Sequence, residues 1–203
     1  MHKNVSELKP SSLYHLLIQA IIPRPIAWVL TSNGQALNLA PFSFFMAVSG
    51  EPPLLALSIG QKKDGSPKDT LANIQSNKFF VLHIPSRGME EAVNKTADAL
   101  PHGVSEIEHA GLEVVPLGDF PLPRLKDARI ALGCELLRAD VLMEGMDTTM
   151  VYGLIKEIYI DDSISEEING HLNIDAKKMD PLFRLAGDDY GFLGGIKTVA
   201  RNR

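Results

Sequence analysis

Cysteine is nearly absent: Cys134 is the single one in 203 residues. An intramolecular disulfide and a two-cysteine redox centre are therefore excluded, and a reducing compartment fits. Positive charge is scarce too. Lys and Arg number 20 against 25 Asp and Glu, for a formal net charge of -5. A nucleic-acid backbone demands a strongly basic face, so no nucleic-acid partner is expected, although a local pocket for one phosphate stays compatible. No apolar run is long and clean enough to span a membrane. The greasiest stretch, Leu13 to Leu30, contains His15, Gln19 and Arg24, and Arg24 sits between Pro23 and Pro25. A charged residue between two helix breakers does not belong at mid-bilayer. Met1 to Pro10 is polar and lacks the apolar core of a signal peptide, so a cytoplasmic protein without a membrane partner is expected.

Familiar catalytic signatures are missing as well. Gly194-Gly195 does not extend to G-x-G-x-x-G, and no G-x-S-x-G elbow occurs. His102 and His109 flank Ser105-Glu106 and could be drawn as ligands or proton donors, but their spacing matches no standard metal pattern. No metal is expected. His83, beside Phe79 and Phe80, reads as a hydrogen-bonded core or rim residue.

What is present is an ordinary folded composition, 45% hydrophobic and 22% charged, enough to bury a core. Neither a repeat nor a linker divides the chain, so residues 1–203 are expected to form a single domain. Ser11 and Ser12 precede helically spaced Leu13, Leu16, Leu17 and Ala20, and Pro23 and Pro25 close that helix. Ile26 to Thr31 reads as a strand, Asn33-Gly34 as a hairpin turn with both residues at positive φ, and Leu37 to Leu39 as the return. Leu54 to Ile59 reads as a buried strand. Ser66-Pro67-Lys68-Asp69 predicts a helix with Ser66 at the N-cap and Pro67 in the first position, running through Ile74. A strand over Phe79 to Ile84 and a helix over Met89 to Ala99 follow. Further strands are expected at Glu113 to Val115, Ala128 to Leu142 and Met150 to Ile160, while the tail from Pro181 shows no period. Short strands joined mostly by turns predict a mainly β fold with α: an antiparallel barrel with flanking helices.

Three segments depart from ordinary core and turn sequence. Arg24 to Thr31 is the first. In the second, Asn38 to Phe45, Pro41 and Ser43 interrupt an apolar run, so its backbone and hydroxyl groups need partners beyond a regular ladder. A flat heteroaromatic ring with polar edges would supply them; an edge strand with a bulge would also account for the pattern. The third joins Ser58-Ile59-Gly60 to Lys68-Asp69-Thr70, placing a Lys, a Thr and free amides at a helix start, with Lys62 and Lys63 nearby. That suits a phosphate. A plain helix start with solvated lysines is the alternative. Among the aromatic residues only Phe42 is singled out to stack on a ligand; Trp28, Phe44, Phe45 and Phe79 read as core.

In this order and spacing the segments resemble the flavin reductase-like FMN-binding family, which includes flavoredoxin. The family pattern R-P-x-A-x-V-x-T, N-x-A-P-x-S-x-F, S-x-G and K-D-T-x-x-N-I is present, the last as Lys68 to Ile74. Ser105-Glu106-Ile107, Ala110-Gly111-Leu112, and Arg184-Leu185 with Tyr190 add to the likeness, although Leu185-Ala186-Gly187 replaces the usual Leu-Gly-Gly. The resemblance implies a split β-barrel, one FMN per subunit and a homodimer that helps to build the flavin sites. It also implies roles. Thr31, Asn38, Ala40, Pro41, Phe42 and Ser43 would hold the ring and ribityl chain. Ser58, Lys68, Asp69 and Thr70 would serve the phosphate, with Arg24 and Asn73 in support. The implied activity is an NAD(P)H-dependent flavin reductase with NADH or NADPH as donor. Alternatives are a flavoredoxin-like FMN electron carrier without a nicotinamide site, serving a protein acceptor, and a barrel that binds no flavin and acts as an interaction module.

Overall fold

A computed structural model describes residues 1–100 and 104–200. Helix α1 (Pro10–Ala20) is followed by strands β1 (Arg24–Pro25), β2 (Ala27–Ser32), β3 (Leu37–Phe42), β4 (Phe45–Gly50) and β5 (Pro53–Gly60). Then come α2 (Asp69–Asn77), β6 (Phe79–His83), α3 (Glu90–Lys95) and α4 (Glu106–His109). The short β7 (Val114–Val115) and β8 (Arg124–Leu125) precede the long β9 (Ile130–Asp140) and β10 (Thr148–Ile160). A hairpin of β11 (Ser165–Ile168) and β12 (His171–Ile174), helix α5 (Ala176–Met179), β13 (Phe183–Arg184) and β14 (Tyr190–Gly191) complete it.

Seven antiparallel strands form the main sheet in the order β3-β2-β6-β9-β10-β5-β4. Its two edge strands are consecutive in the chain, joined only by Ser43 and Phe44. Laid flat, six inter-strand gaps would separate those edges by about 29 Å. The link spans three Cα steps, about 11 Å at most. The sheet therefore has to curl back on itself, with β3 and β4 at the seam. This is a split β-barrel, as the turn-rich, strand-rich sequence predicts.

Burial follows from the curl. Ala27, Val29, Phe80, Leu82, Leu55, Leu57 and Ile59 pack in one core, inside the curl. Trp28, Leu30, Val81 and Ala131 point the other way, into a second core roofed by Val93 of α3 and Ile107 of α4. β2 and β6 are thus buried on both faces, which is why they read as continuous apolar runs instead of alternating ones. Gly153 on β10 is a close-approach position: a Cβ there would lie 2.5 Å from the Phe80 ring. Among the described residues no helix is long and apolar enough to cross a membrane.

Several element boundaries differ from the sequence expectation. α1 starts at Pro10 behind Lys9, so Ser11 and Ser12 lie within its first turn. Asn33-Gly34 sits in a four-residue loop between paired Ser32 and Leu37; Gly34 has φ +90°, while the Asn33 side chain accepts from the amides of Gln35 and Ala36. The two-residue turn with both φ positive is Asn169-Gly170, in the β11–β12 hairpin that pattern reading passes over. α2 begins at Asp69, not at Ser66. The Ser66 amide and hydroxyl instead bind Asp64 Oδ1 at 2.9 and 2.6 Å, and its carbonyl accepts from Lys62. That local turn outcompetes the helix for those groups. α3 is shorter than expected, and its chain continues in tighter i→i−3 turns at Ala97 and Asp98.

His83 ends β6 fully buried. Its Nε2 accepts from the Leu125 amide at 3.0 Å, so Nδ1 carries the proton and donates to the Trp28 carbonyl, also at 3.0 Å. Burial pushes its pKa from 6.5 down to about 4. The unfolded chain then takes up a proton below about pH 6.5 that the folded chain refuses until about pH 4. Stability present at neutral pH is lost progressively as pH falls through that window, by up to roughly 3 kcal/mol. Urea unfolding of the wild type and of His83→Gln across pH 7 to 4 is expected to show a shallower pH dependence in the variant; parallel curves would contradict this.

Candidate functional site

A cavity of about 650 Å³ lies along the outer edge of β3. Asn38, Ala40, Pro41 and Phe42 form its floor. One wall is the Gln61–Asp64 loop with Lys68, Asp69 and Thr70 at the start of α2; the other is Thr96–Leu100, after α3, with Glu106 of α4. Seven of the twelve residues singled out in the sequence meet here: Asn38, Ala40, Pro41, Phe42, Lys68, Asp69 and Thr70.

The register explains how they meet. β2 pairs with β3 so that Thr31 stands opposite Asn38. On α2, Thr70 and Asn73 share a face at i, i+3 spacing. Asn38 Nδ2 reaches Thr70 Oγ1 at 3.4 Å, and Asn73 Nδ2 donates to Thr31 Oγ1 at 3.1 Å. These two rungs dock the helix start onto the sheet. Thr31 and Asn73 are buried behind the cavity wall, not in its lining.

The α2 end of the cavity is cationic. Lys68 holds the N-cap position with extended backbone and gives no side-chain cap to the first-turn amides. Its Nζ lies 5.6 Å from the centre of the Phe42 ring. Lys62 pairs with Asp69 at 2.8 Å. The Ser66 hydroxyl and amide hold the Asp64 carboxyl below its ordinary pKa. Phe42 is only 7% exposed, so most of its ring belongs to the barrel core and the remainder faces the cavity.

The wall beyond α3 is tied to the second core. Trp28 donates its indole N–H to Thr96 Oγ1 at 2.8 Å, and that hydroxyl donates to the Val93 carbonyl at 3.0 Å. Sequence reading missed this wall, apart from noting Ser105-Glu106-Ile107 as family-like.

Arg24, Ser43 and Ser58 are not brought to the cavity. Arg24 is 5% exposed and works as a clamp: it donates to the carbonyls of Ile18 at the end of α1 and Leu185 after β13, and to Ser43 Oγ at 3.3 Å. Ser58 is half-buried in β5, its amide bonded to the Phe44 carbonyl across the strand pair. Cys134 is buried in β9, where desolvation raises its thiol pKa far above the ordinary value. His109 Nε2 faces Asp98 at 3.5 Å on the exposed surface, and His102 lies outside the described residues.

Residues 19–181 match the flavin reductase like domain, a span that includes all three unusual segments. The chain belongs to the flavin reductase-like family. Its relatives in this family include an uncharacterized protein of Halalkalibacterium halodurans, 35% identical over 209 residues and the whole of both chains. Among solved structures, nitrilotriacetate monooxygenase component B from Bacillus cereus superposes with a TM-score of 0.90 at 33% identity, covering 98% of each chain. The 2-nitrobenzoate 2-nitroreductase NbaA of Pseudomonas fluorescens gives 0.88 at 26% identity, over 99% of this flavin reductase-like chain and 96% of its own.

Because Thr31 and Asn73 are the two ends of one rung, Thr31→Val and Asn73→Ala are not independent. Each is expected to cost about 1–3 kcal/mol in chemical denaturation, because each strands a buried polar partner. The double variant should cost at least about 1 kcal/mol less than their sum. Strict additivity would show that the pair does not couple.

Proposed function

We propose that this chain is an FMN-binding oxidoreductase whose flavin is reduced by NADH or NADPH. The observation that carries the reading is the cavity on β3, with its cationic end at the uncapped start of α2. Its volume lies within the range of roughly 300–1,000 Å³ usual for small-ligand sites. The donor set also fits the group. A helix N-terminus without a side-chain cap from its N-cap residue favours an anion, and Lys68 and Lys63 add positive charge without being paired to a carboxylate among the described residues.

In this reading Lys68, Thr70 and the first-turn amides of α2 hold the phosphate. Asn38, Ala40, Pro41 and Phe42 form the surface against which the rest of the nucleotide lies. Thr31 and Asn73 keep Thr70 and Asn38 in register. Bound FMN supplies hydride acceptance from a nicotinamide, a transfer that requires no acid or base from the protein. The chain's part is to bind, orient and exclude water.

The relatives fit this reading, one being a monooxygenase component and another a nitroreductase by name. They leave the final acceptor open among free flavin, a partner monooxygenase and a small substrate. A second copy of the chain completes the proposal. β4 is a sheet edge whose residues Met46 and Val48 are exposed, Met46 by 61%. Beside it stand exposed Phe44 and Tyr14 of α1, their rings 6.4 Å apart. An open, apolar strand edge calls for a cover, and a homodimer provides one.

Anaerobic addition of NADH, then NADPH, to the FMN-loaded protein is expected to bleach the flavin absorbance. A flavin that stays oxidised would support the electron-carrier alternative, and failure to bind FMN would overturn both. Lys68→Ala should weaken FMN by about tenfold while sparing riboflavin, which has no phosphate. Equal losses for both ligands would remove Lys68 from the phosphate site. In sedimentation the wild type should be a dimer at micromolar concentration and Met46→Glu shifted toward monomer; a monomeric wild type would contradict the shared interface.

A further inference from the structure

Glu106 faces the cavity from the α4 side, and its environment gives it a defined task. β3 alternates: Leu39 turns its amide away from β2 and donates it to Glu106 Oε2 at 3.0 Å. The next residue whose backbone nitrogen faces the same way is Pro41, which has no N–H to offer. At these two positions the strand edge therefore presents the cavity with no free main-chain donor. The second oxygen of Glu106, Oε1, is left over, since Leu39 is the only hydrogen-bond partner of that carboxylate among the described residues. A carboxylate accepts and cannot donate. This stretch of wall thus favours a ligand group that donates, and it disfavours a phosphate. The lysines at the start of α2 have the opposite preference.

We propose that Glu106 is a specificity-determining residue of the site, accepting a hydrogen bond from a neutral donor of the bound flavin, either a ribityl hydroxyl or the ring N–H. The inference rests on the reading of the cavity as a flavin site. Glu106 and Lys68 then set the orientation of the ligand between them, one wall rejecting the anion that the other attracts.

The test is Glu106→Gln. Its amide oxygen can keep the bond from Leu39, but its NH2 group then faces the ligand donor with a second donor. Fluorescence titrations with FMN, riboflavin and lumiflavin, which lacks the ribityl chain, are run beside urea unfolding of both proteins. The unfolding midpoint should hold near the wild-type value, while FMN and riboflavin affinities both fall about 10- to 100-fold, the worth of a hydrogen bond to a charged group. A parallel fall for lumiflavin assigns the ring N–H as partner; unchanged lumiflavin binding assigns a ribityl hydroxyl. Unchanged affinity for all three ligands would overturn the proposal and leave Glu106 a structural partner of Leu39. Wild-type protein that binds none of them would instead sink the flavin reading itself, before any variant is made.

Discussion

The short connection between β3 and β4 is the constraint on which the rest of the molecule depends. Two residues cannot span a flat seven-stranded sheet, so the sheet curls, and the curl leaves two strand edges facing outward at one seam. Unpaired edges need partners or cover. On β3 the outer edge is met by Glu106 and by a cavity. On β4 it is left open beside an apolar face. The candidate ligand site and the candidate subunit contact are thus two consequences of one closure.

The charged groups are unevenly placed along the cavity, with Lys62, Lys63 and Lys68 among Asp64 and Asp69 at one end and Glu106 at the other side. A chain with a net charge of -5 still gathers three lysines around one helix start, while the α4 side supplies a carboxylate. Such an arrangement suits a ligand with an anionic end and a neutral, donor-bearing body. The walls are stiffened from behind by buried polar pairs: Thr31 with Asn73, and Trp28 with Thr96. These pairs tie the loop-built walls of the cavity back to the packed interior.

Much of this was legible in the residues. The two-sided burial of β2, the interruption of β3 by Pro41, and the cluster at Lys68 to Thr70 all carry local signals that survive folding. Other features depended on competition that a local pattern does not reveal. Ser66 has the chemistry of an N-cap, yet Asp64 is closer and takes both its hydroxyl and its amide, so the helix starts later. Arg24 belongs to a family-like motif, but its guanidinium is used to tie α1 to the segment after β13, 161 residues away in sequence from Leu185. Glu106 was visible only as part of a motif, because its task depends on which β3 amides face outward, and that is fixed by register. The β11–β12 hairpin was the plainer omission, since Asn169-Gly170 is an ordinary turn signal.

The central claim is that the cavity along β3 is where a flavin binds. A crystal structure of the protein with FMN tests it most directly. The account predicts phosphate density at the start of α2 beside Lys68 and Thr70, with the remainder of the nucleotide along Asn38 to Phe42 and within reach of Glu106. FMN bound elsewhere, with this cavity holding only water, would contradict it.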